Sequence, residues 1–244
     1  MALILVHSPK GGVGTTTVAA NLALMLASRG ADVVAIDFSR QDSLKLHFGF
    51  RPDQLLPFAM RGDEAQVVAG VRLLACNRRE DQADAAAAVN RWLGQGSIVV
   101  ADIAAGDADL FRTLLPGADL HLCVLTTDAA AMAVLPQLAA GQPLMAAIGA
   151  QPSHFVLNRI DDRRRLGRDA AKFLKRLTGD RLIAGIRRDE AVNEALAMME
   201  PLGKFAPTSA ALADFIRLGD IVRDLPALRA AGARGGAAAA TIRA

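Results

Sequence analysis

The chain has 244 residues, of which 52% are hydrophobic and 22% are charged, and it carries a net charge of +3. This composition excludes a disordered or fibrous protein and predicts an α/β domain with a sizeable buried core. No apolar run reaches the roughly 18 residues that span a bilayer, and the N-terminus lacks signal-peptide order, so the sequence predicts a soluble cytoplasmic protein.

Apolar runs alternate with helical patterns, starting with a strand at Ala2–His7, a loop at Ser8–Gly14 and a helix at Thr15–Arg29. Further strands are predicted at Asp32–Asp37, Val71–Ala75, Ser97–Asp102, Leu120–Leu125, Phe155–Leu157 and Leu182–Ile186. Further helices are predicted at Asp81–Leu93, Asp107–Leu115, Asp128–Ala140, Arg163–Leu177 and Asp189–Met199. This alternation predicts an α/β fold with a single doubly wound, mostly parallel sheet flanked by helices.

The alternating pattern is expected to form one domain over residues 1–224, followed by a flexible Ala/Gly/Arg-rich tail over residues 225–244. Cys76 and Cys123 lie in strand-like apolar runs without metal-ligand spacing. We expect both to be reduced residues of the core.

The positive charge is concentrated between Asp161 and Arg181, where eight Lys and Arg residues face four aspartates. An apolar stripe shares this segment and consists of Leu166, Ala170, Phe173, Leu174 and Leu177. The basic side chains are therefore expected to project from the opposite helix face. Such a face is compatible with simple solvation, with non-specific DNA binding, or with contact to anionic lipid or an acidic partner.

A glycine-rich loop, Lys10-Gly11-Gly12-Val13-Gly14-Thr15-Thr16-Thr17, lies between the first strand and the first helix. Glycines let backbone N–H groups curl around phosphate oxygens, and the helix N-terminus adds the positive end of its dipole. The loop therefore predicts a nucleotide-binding site formed by Gly11, Gly12, Val13, Gly14, Thr15, Thr16 and Thr17. It departs from the ordinary phosphate-loop pattern, because Pro9 replaces the first glycine and Thr15 replaces the lysine.

Two aspartates end predicted buried strands near this loop, Asp37 and Asp102. Carboxyl ends of parallel strands form the edge where α/β sheets bind ligands. Together with the Thr16 hydroxyl, the two carboxylates predict a Mg²⁺ site.

These residues resemble the deviant Walker A loop, KGGxGK[ST], of the ParA/MinD family of dimeric ATPases. Residues 37–41 resemble the first switch of that family, residues 98–102 its Walker B strand and residues 103–106 its second switch. The resemblance implies ATP and Mg²⁺ as cofactors and a homodimer across the nucleotide. It also implies catalytic roles for Lys10, which would reach the partner's ATP, and for Asp37, while Asn158 would bind adenine.

A narrower resemblance is carried by Gln41-Asp42-Ser43-Leu44-Lys45-Leu46-His47-Phe48-Gly49, which is similar to a sequence motif of the BcsQ (YhjQ) family of bacterial cellulose-synthesis accessory proteins. Residues 188–196 and 205–209 also resemble that family's C-terminal third. The resemblance implies partners among cellulose synthase cytoplasmic or inner-membrane subunits and their small regulators. It implies a cytoplasmic protein held peripherally at the inner membrane through those partners, with no integral membrane segment of its own.

Two departures from the family's sequence pattern affect the expected rate of ATP hydrolysis. Thr15 removes a fixed positive charge from the phosphates, and Ser39 replaces the second aspartate of the first switch. We therefore expect slow or absent ATP hydrolysis with nucleotide binding retained. Two alternatives stay open: a ParA-type DNA-partitioning or positioning ATPase, and a nucleotide-independent pseudo-ATPase scaffold.

Overall fold

The computed structural model describes residues 1–59, 64–76, 84–128 and 153–230. Its strands are β1 (Ala2–His7), β2 (Val33–Asp37), β3 (Gln66–Val68), β4 (Val71–Ala75), β5 (Ile98–Asp102), β6 (Leu120–Thr126), β7 (Ser153–Ile160) and β8 (Leu182–Arg187). Its α-helices are α1 (Thr15–Ser28), α2 (Ala85–Gly94), α3 (Ala108–Leu114), α4 (Arg165–Thr178), α5 (Ala191–Ala197), α6 (Leu202–Phe205) and α7 (Ala210–Asp224).

The strands form one sheet in the order β3-β4-β2-β5-β1-β6-β7-β8. Only β3 runs antiparallel to its neighbour, and the remaining pairs are parallel. The predicted fold class is therefore confirmed. Since the parallel strands end at the same edge, residues that follow β1, β2, β5, β6, β7 and β8 meet there.

Both faces of the sheet are covered, which explains why the central strands are nearly continuous apolar runs. Ile4 and Val6 face a core shared with α1 and α7, whereas Leu3 and Leu5 face a second core beside α2 and α3. Helices α1 and α7 approach closely, because a Cβ at Gly219 would lie 2.6 Å from Met25 Cβ. The first helix is thus fixed firmly under the glycine-rich loop.

Most predicted elements agree with the observed ones to within a few residues, and β1 and β4 begin and end as predicted. The sequence analysis missed β3, α6 and α7. The helix predicted at Asp128–Ala140 lies, beyond its first residue, outside the described residues. The flexible tail over residues 225–244 stays a prediction, although residues 226–230 within it are helical and Leu228 is buried.

The apolar stripe of α4 is only partly covered by the sheet. Ala170 and Leu174 are buried, but Leu166, Phe173 and Leu177 are 55%, 48% and 48% exposed. Helix α4 presents solvent with an apolar strip as well as its basic side chains.

Cys76 and Cys123 are buried and free of disulfides, as expected of reduced core residues. Burial raises the pKa of the Cys123 thiol to about 12, so this thiol stays protonated. Across the part of the chain that the structure describes, no helix is long and apolar enough to cross a membrane.

A cluster of buried rings lies beside the end of β1. His7 stacks on Phe111 of α3 with ring centroids 4.3 Å apart, and His121 of β6 lies 4.7 Å from the same ring. Neither ring nitrogen of His7 has a hydrogen-bond partner among the described residues. Burial lowers the pKa of His7 to about 4 and that of His121 to about 3, so both are neutral in the folded protein.

We predict that His7→Leu makes the protein less sensitive to acid. The unfolded chain takes up protons below the ordinary histidine pKa of about 6.5, whereas the folded protein resists protonation down to pH 4, so stability falls as pH drops through this window. At pH 5.5 the loss attributable to His7 is about 1 kcal/mol. Urea unfolding at pH 7.5 and 5.5 measures it.

Phe111→Leu disturbs the same cluster without removing a titratable group. It should therefore lower stability by similar amounts at both pH values. If His7→Leu loses as much stability on acidification as the unmodified protein, the assignment of acid sensitivity to His7 is wrong.

Candidate functional site

The glycine-rich loop connects β1 to α1, and its geometry depends on glycine. Gly12 and Gly14 have φ of +76° and +88°, in the left-handed region that side chains with a Cβ avoid. Gly14 precedes the first turn of α1 and accepts a hydrogen bond from Val18 N at 3.0 Å. A Cβ at Gly14 would also overlap the amide nitrogen of Asn158. Because Gly12 and Gly14 carry no side chains, the N-terminal end of α1 is open to an anion.

Lys10 extends from this loop to the end of β6, where its Nζ lies 3.0 Å from Asp128 Oδ1. Asp128 also accepts a hydrogen bond of 2.6 Å from the Thr126 hydroxyl. The two partners of the ion pair are 28% and 52% exposed, and pairs of this kind contribute about 0–1 kcal/mol. Little free energy is needed to transfer the Lys10 ammonium from Asp128 to another anion.

Asp37 and Asp102 occupy paired positions at the ends of the neighbouring strands β2 and β5. Both are buried, and Asp102 Oδ2 has no hydrogen-bond partner within the described ranges. Burial, followed by the negative charge of Asp37, raises the pKa of Asp102 to about 8, and a hydrogen bond with Thr16 opposes this shift. Burial also raises the pKa of Asp37.

The segment after β2 is fixed by two charged side chains. The Asp37 carboxylate accepts hydrogen bonds from Ser39 N at 2.8 Å and Leu44 N at 2.9 Å. The Lys45 ammonium is buried, pairs with Asp42 and donates to the carbonyl oxygens of residues 52 and 54 at 3.0 and 2.6 Å. Ser39 therefore sits in a well-ordered turn directly beside the two buried aspartates.

This donor set fits Mg²⁺. The ion prefers oxygen ligands and commonly takes one or two carboxylates together with phosphate oxygens and water. An unpartnered oxygen of Asp102, the adjacent Thr16 hydroxyl and the second buried carboxylate of Asp37 lie at the glycine-rich loop. Among the described residues there is no cluster of three or more His, Cys, Asp or Glu side chains that would bind a metal without a ligand's help.

A cleft of about 420 Å³ opens next to the loop, between the ends of β6, β7 and β8. Gly12 and Thr17 are among its lining residues, together with the apolar Leu166 and Val192 and the buried Ile186 and Phe215. Cavities of this size and mixed lining accommodate small organic ligands.

Asn158 and Arg159, at the end of β7, line this cleft and bind the loop. Asn158 Nδ2 donates to the carbonyl of Val13 at 2.8 Å, and Arg159 Nη1 donates to that of Gly12 at 2.9 Å. Arg159 has a φ of +55°, which is unusual for a residue with a side chain. The strand end is shaped to bring these two side chains onto the loop.

A family model described as the CobQ/CobB/MinD/ParA nucleotide binding domain matches residues 4–202. The chain belongs to this family. The glycine-rich loop, residues 10–17, is the predicted phosphate loop of this P-loop NTPase, and it spans the connection after β1 and the first residues of α1.

Solved structures of the MinD/ParA family share the fold. One is the septum site-determining protein MinD of Pyrococcus horikoshii with Mg-ADP, with a TM-score of 0.73 and 20% identity over 91% of this chain and 96% of that one. Another is a ParA family ATPase from Chlorobium tepidum, with a TM-score of 0.70 and 19% identity over 89% and 97% of the two chains.

By sequence, the chain is 44% identical over 73 residues to a protein of Rhizobium rhizogenes named replication protein A. The chain spans about a fifth of the length of the curated relatives that it matches, 18% in one case and 22% in another.

The structure brings the predicted site residues to one edge of the sheet: the phosphate loop, the aspartates at the ends of β2 and β5, and Asn158 at the end of β7. Their individual roles stay predictions. The sequence analysis missed Asp128, although it follows a buried strand just as Asp37 and Asp102 do, and it missed Arg159, whose φ has no signal in the sequence. It also missed His47, whose Nε2 lies 3.4 Å from Thr17 Oγ1.

We predict that Asp102→Asn stabilises the protein in the absence of metal and nucleotide. A raised carboxyl pKa means that stability decreases as pH rises from about 4 to about 8, and asparagine cannot ionise. The gain should be on the order of 2 kcal/mol at pH 8 and should shrink towards pH 5. Urea unfolding in EDTA measures it.

Asp109→Asn is the matched control, because Asp109 is a fully exposed aspartate paired with Arg112 on α3. Its effect on stability should be within about 0.5 kcal/mol at both pH values. An Asp102→Asn variant that is less stable than the unmodified protein at pH 8 would show that the Asp102 charge is already compensated.

Proposed function

We propose that the protein is an ATP-binding, nucleotide-gated dimeric accessory protein of bacterial cellulose synthesis and secretion, with slow or absent ATP hydrolysis. The observation that carries this proposal is the phosphate loop, a deviant Walker A loop in which Lys10 is retained and Thr15 replaces the second lysine. The groups that would bind the nucleotide are kept, whereas the lysine that would stabilise the phosphate during its transfer is replaced by Thr15.

The contacts around the loop support ATP with Mg²⁺ as the ligand. Backbone N–H groups of residues 11–17 would bind phosphates, while Thr16 and Asp102 would hold the ion. The adjacent cleft is lined in part by the apolar side chains of Leu166 and Val192, which would contact a purine base. The bound ion would neutralise phosphate charge and compensate the buried carboxylates.

Slow hydrolysis follows from the residues that are replaced. Thr15 supplies no cation to the phosphates, and Ser39 supplies no carboxylate beside Asp37. Each loss of an ordinary catalytic group lowers a rate by about 10²–10³. A bound ATP would therefore persist long enough to hold a dimer together.

The role of Lys10 supports gating by dimerisation. Its ammonium is held by Asp128 of its own chain through a half-exposed ion pair. In a dimer that faces two phosphate loops together, the same side chain would exchange Asp128 for the partner's phosphate. The cellulose-synthesis assignment itself is supported by residues 41–49, 188–196 and 205–209, and it implies synthase subunits and small regulators as partners at the inner membrane.

A second candidate, a ParA-type DNA-positioning ATPase, is favoured by the exposed basic side chains of α4. The uncovered Leu166, Phe173 and Leu177 beside them would take no part in phosphate contacts and do not decide between the two candidates. Binding to plain duplex DNA that falls steeply with salt would favour this candidate. Under the nucleotide-independent scaffold, the molecular mass would not respond to ATP.

We predict that ATP with Mg²⁺ converts the protein to a dimer, while ADP or no nucleotide does not. Lys10→Ala should abolish the conversion, because the cation that crosses the interface is lost. Asp128→Asn should lower the ATP concentration required, because Lys10 no longer has to leave its own carboxylate. Light scattering after size-exclusion chromatography measures the mass.

Lys204→Ala is the control, since Lys204 is an exposed lysine that pairs with Glu200 far along the chain from the loop. It should dimerise like the unmodified protein. A mass that is indifferent to nucleotide in every variant would refute the gating proposal.

A further inference from the structure

The end of β7 holds two consecutive peptide groups of the phosphate loop. Asn158 Nδ2 donates to Val13 O at 2.8 Å, and Arg159 Nη1 donates to Gly12 O at 2.9 Å. The donors and acceptors are about 145 residues apart in the sequence, so these bonds are tertiary contacts and not turns within the loop. The loop conformation is therefore set from outside the loop.

The direction of these bonds determines where the loop's N–H groups point. In a trans peptide the carbonyl oxygen and the following N–H lie in one plane and point in opposite directions. The carbonyl of Gly12 shares its peptide group with the N–H of Val13, and the carbonyl of Val13 shares its group with the N–H of Gly14. Fixing both carbonyls towards β7 turns both N–H groups to the other side of the loop.

The local structure of β7 is adapted to this task. Arg159 adopts a φ of +55°, and the pairing with β8 is irregular between Leu157 and Ile160. Asn158 is buried, and its Oδ1 accepts the Arg159 backbone N–H at 3.0 Å, which fixes the orientation of its amide. Strained backbone of this kind persists where surrounding contacts hold it, and it concentrates at functional sites.

We propose that Asn158 and Arg159 are positioning residues that hold the phosphate loop in the conformation that binds phosphate. They would compensate for the absence of a lysine at position 15, which would otherwise orient the bound phosphates. The proposal rests on the proposed nucleotide binding and deepens it. With threonine at position 15, attraction for phosphate depends more heavily on correctly aimed backbone N–H dipoles. Donors already in place do not have to be ordered upon binding, and this strengthens affinity.

This role differs from the contact with adenine that the family resemblance implies for Asn158. A residue that reads the base affects only ligands that carry a base. A residue that positions the loop affects any ligand with a phosphate chain, including inorganic triphosphate. Comparison of ATP with inorganic triphosphate therefore separates the two roles.

The test measures Mg²⁺-dependent binding of both ligands by titration calorimetry. Asn158→Leu, which is similar in size and uncharged but has no donor, should weaken ATP and triphosphate by the same factor, about 10-fold or more. Arg159→Ala should weaken both about 3- to 10-fold, and Arg159→Lys should recover part of the loss because it restores a donor. Lys204→Ala, which removes an exposed cation that pairs with Glu200 and does not line the cleft, should change triphosphate binding at most about twofold.

A second readout does not depend on ligand. In the nucleotide-free protein, the backbone NMR order parameters of the Val13 and Gly14 N–H groups should fall in Asn158→Leu and Arg159→Ala, while those in β1 stay unchanged. Arg159 is an exposed side chain, so its variants remain informative even where a change at buried Asn158 disturbs folding.

The outcomes are distinct. If Asn158→Leu weakens ATP but leaves triphosphate unaffected, the proposal is overturned in favour of base recognition. Unchanged affinities and unchanged order parameters would also overturn it. If the unmodified protein binds neither ligand, the proposed function fails, and the order parameters alone then decide whether β7 orders the loop.

Discussion

Two aspartates buried side by side at the ends of β2 and β5 are the constraint around which the site is built. Like charges in a closed interior repel each other and lose their hydration, and both effects disfavour ionisation. Asp37 offsets part of this cost by accepting two backbone N–H groups from the following turn, whereas Asp102 keeps one oxygen without a partner in the described structure. A divalent cation at this position removes both penalties, which is why the arrangement is better suited to a ligand-bound protein than to an empty one.

The phosphate loop is the second part of the site, and it would have to attract phosphate without a lysine at position 15. Its attraction for anions comes from backbone N–H groups and the N-terminus of α1, and at position 15 the chain carries threonine instead of lysine. Lys10 is tied to Asp128 and the loop carbonyls are tied to β7, so the resting conformation is held by contacts that are local to the sheet edge. Under the proposed function, a site of this design would hold a nucleotide for longer than a site with lysine at position 15 would.

Much of the fold was predictable because buried parallel strands give continuous apolar runs, and because the glycines of the glycine-rich loop show where the first strand ends and the first helix begins. The short, exposed β3 gave no such signal, because an edge strand of polar and half-exposed residues does not differ from a loop. Periodicity in α4 showed which residues share a face, yet it carries no information on how much of that face the sheet covers, and Leu166, Phe173 and Leu177 remain exposed to solvent.

At the site, Asp37 and Asp102 were predictable from strand ends. The bonds of Asn158 and Arg159 to the loop depend on a left-handed backbone and a strand irregularity that only the three-dimensional structure reveals.

The most direct test of this account is titration calorimetry of the unmodified protein with ATP, once in Mg²⁺ and once in EDTA. If the buried carboxylates await a cation brought with the nucleotide, ATP binds in Mg²⁺ and at least about 10-fold more weakly in EDTA, a difference of about 1.4 kcal/mol or more. Equal affinity in the two conditions would contradict the role assigned to Asp37, Asp102 and Thr16. The absence of any binding would contradict the proposal that the protein works by holding ATP.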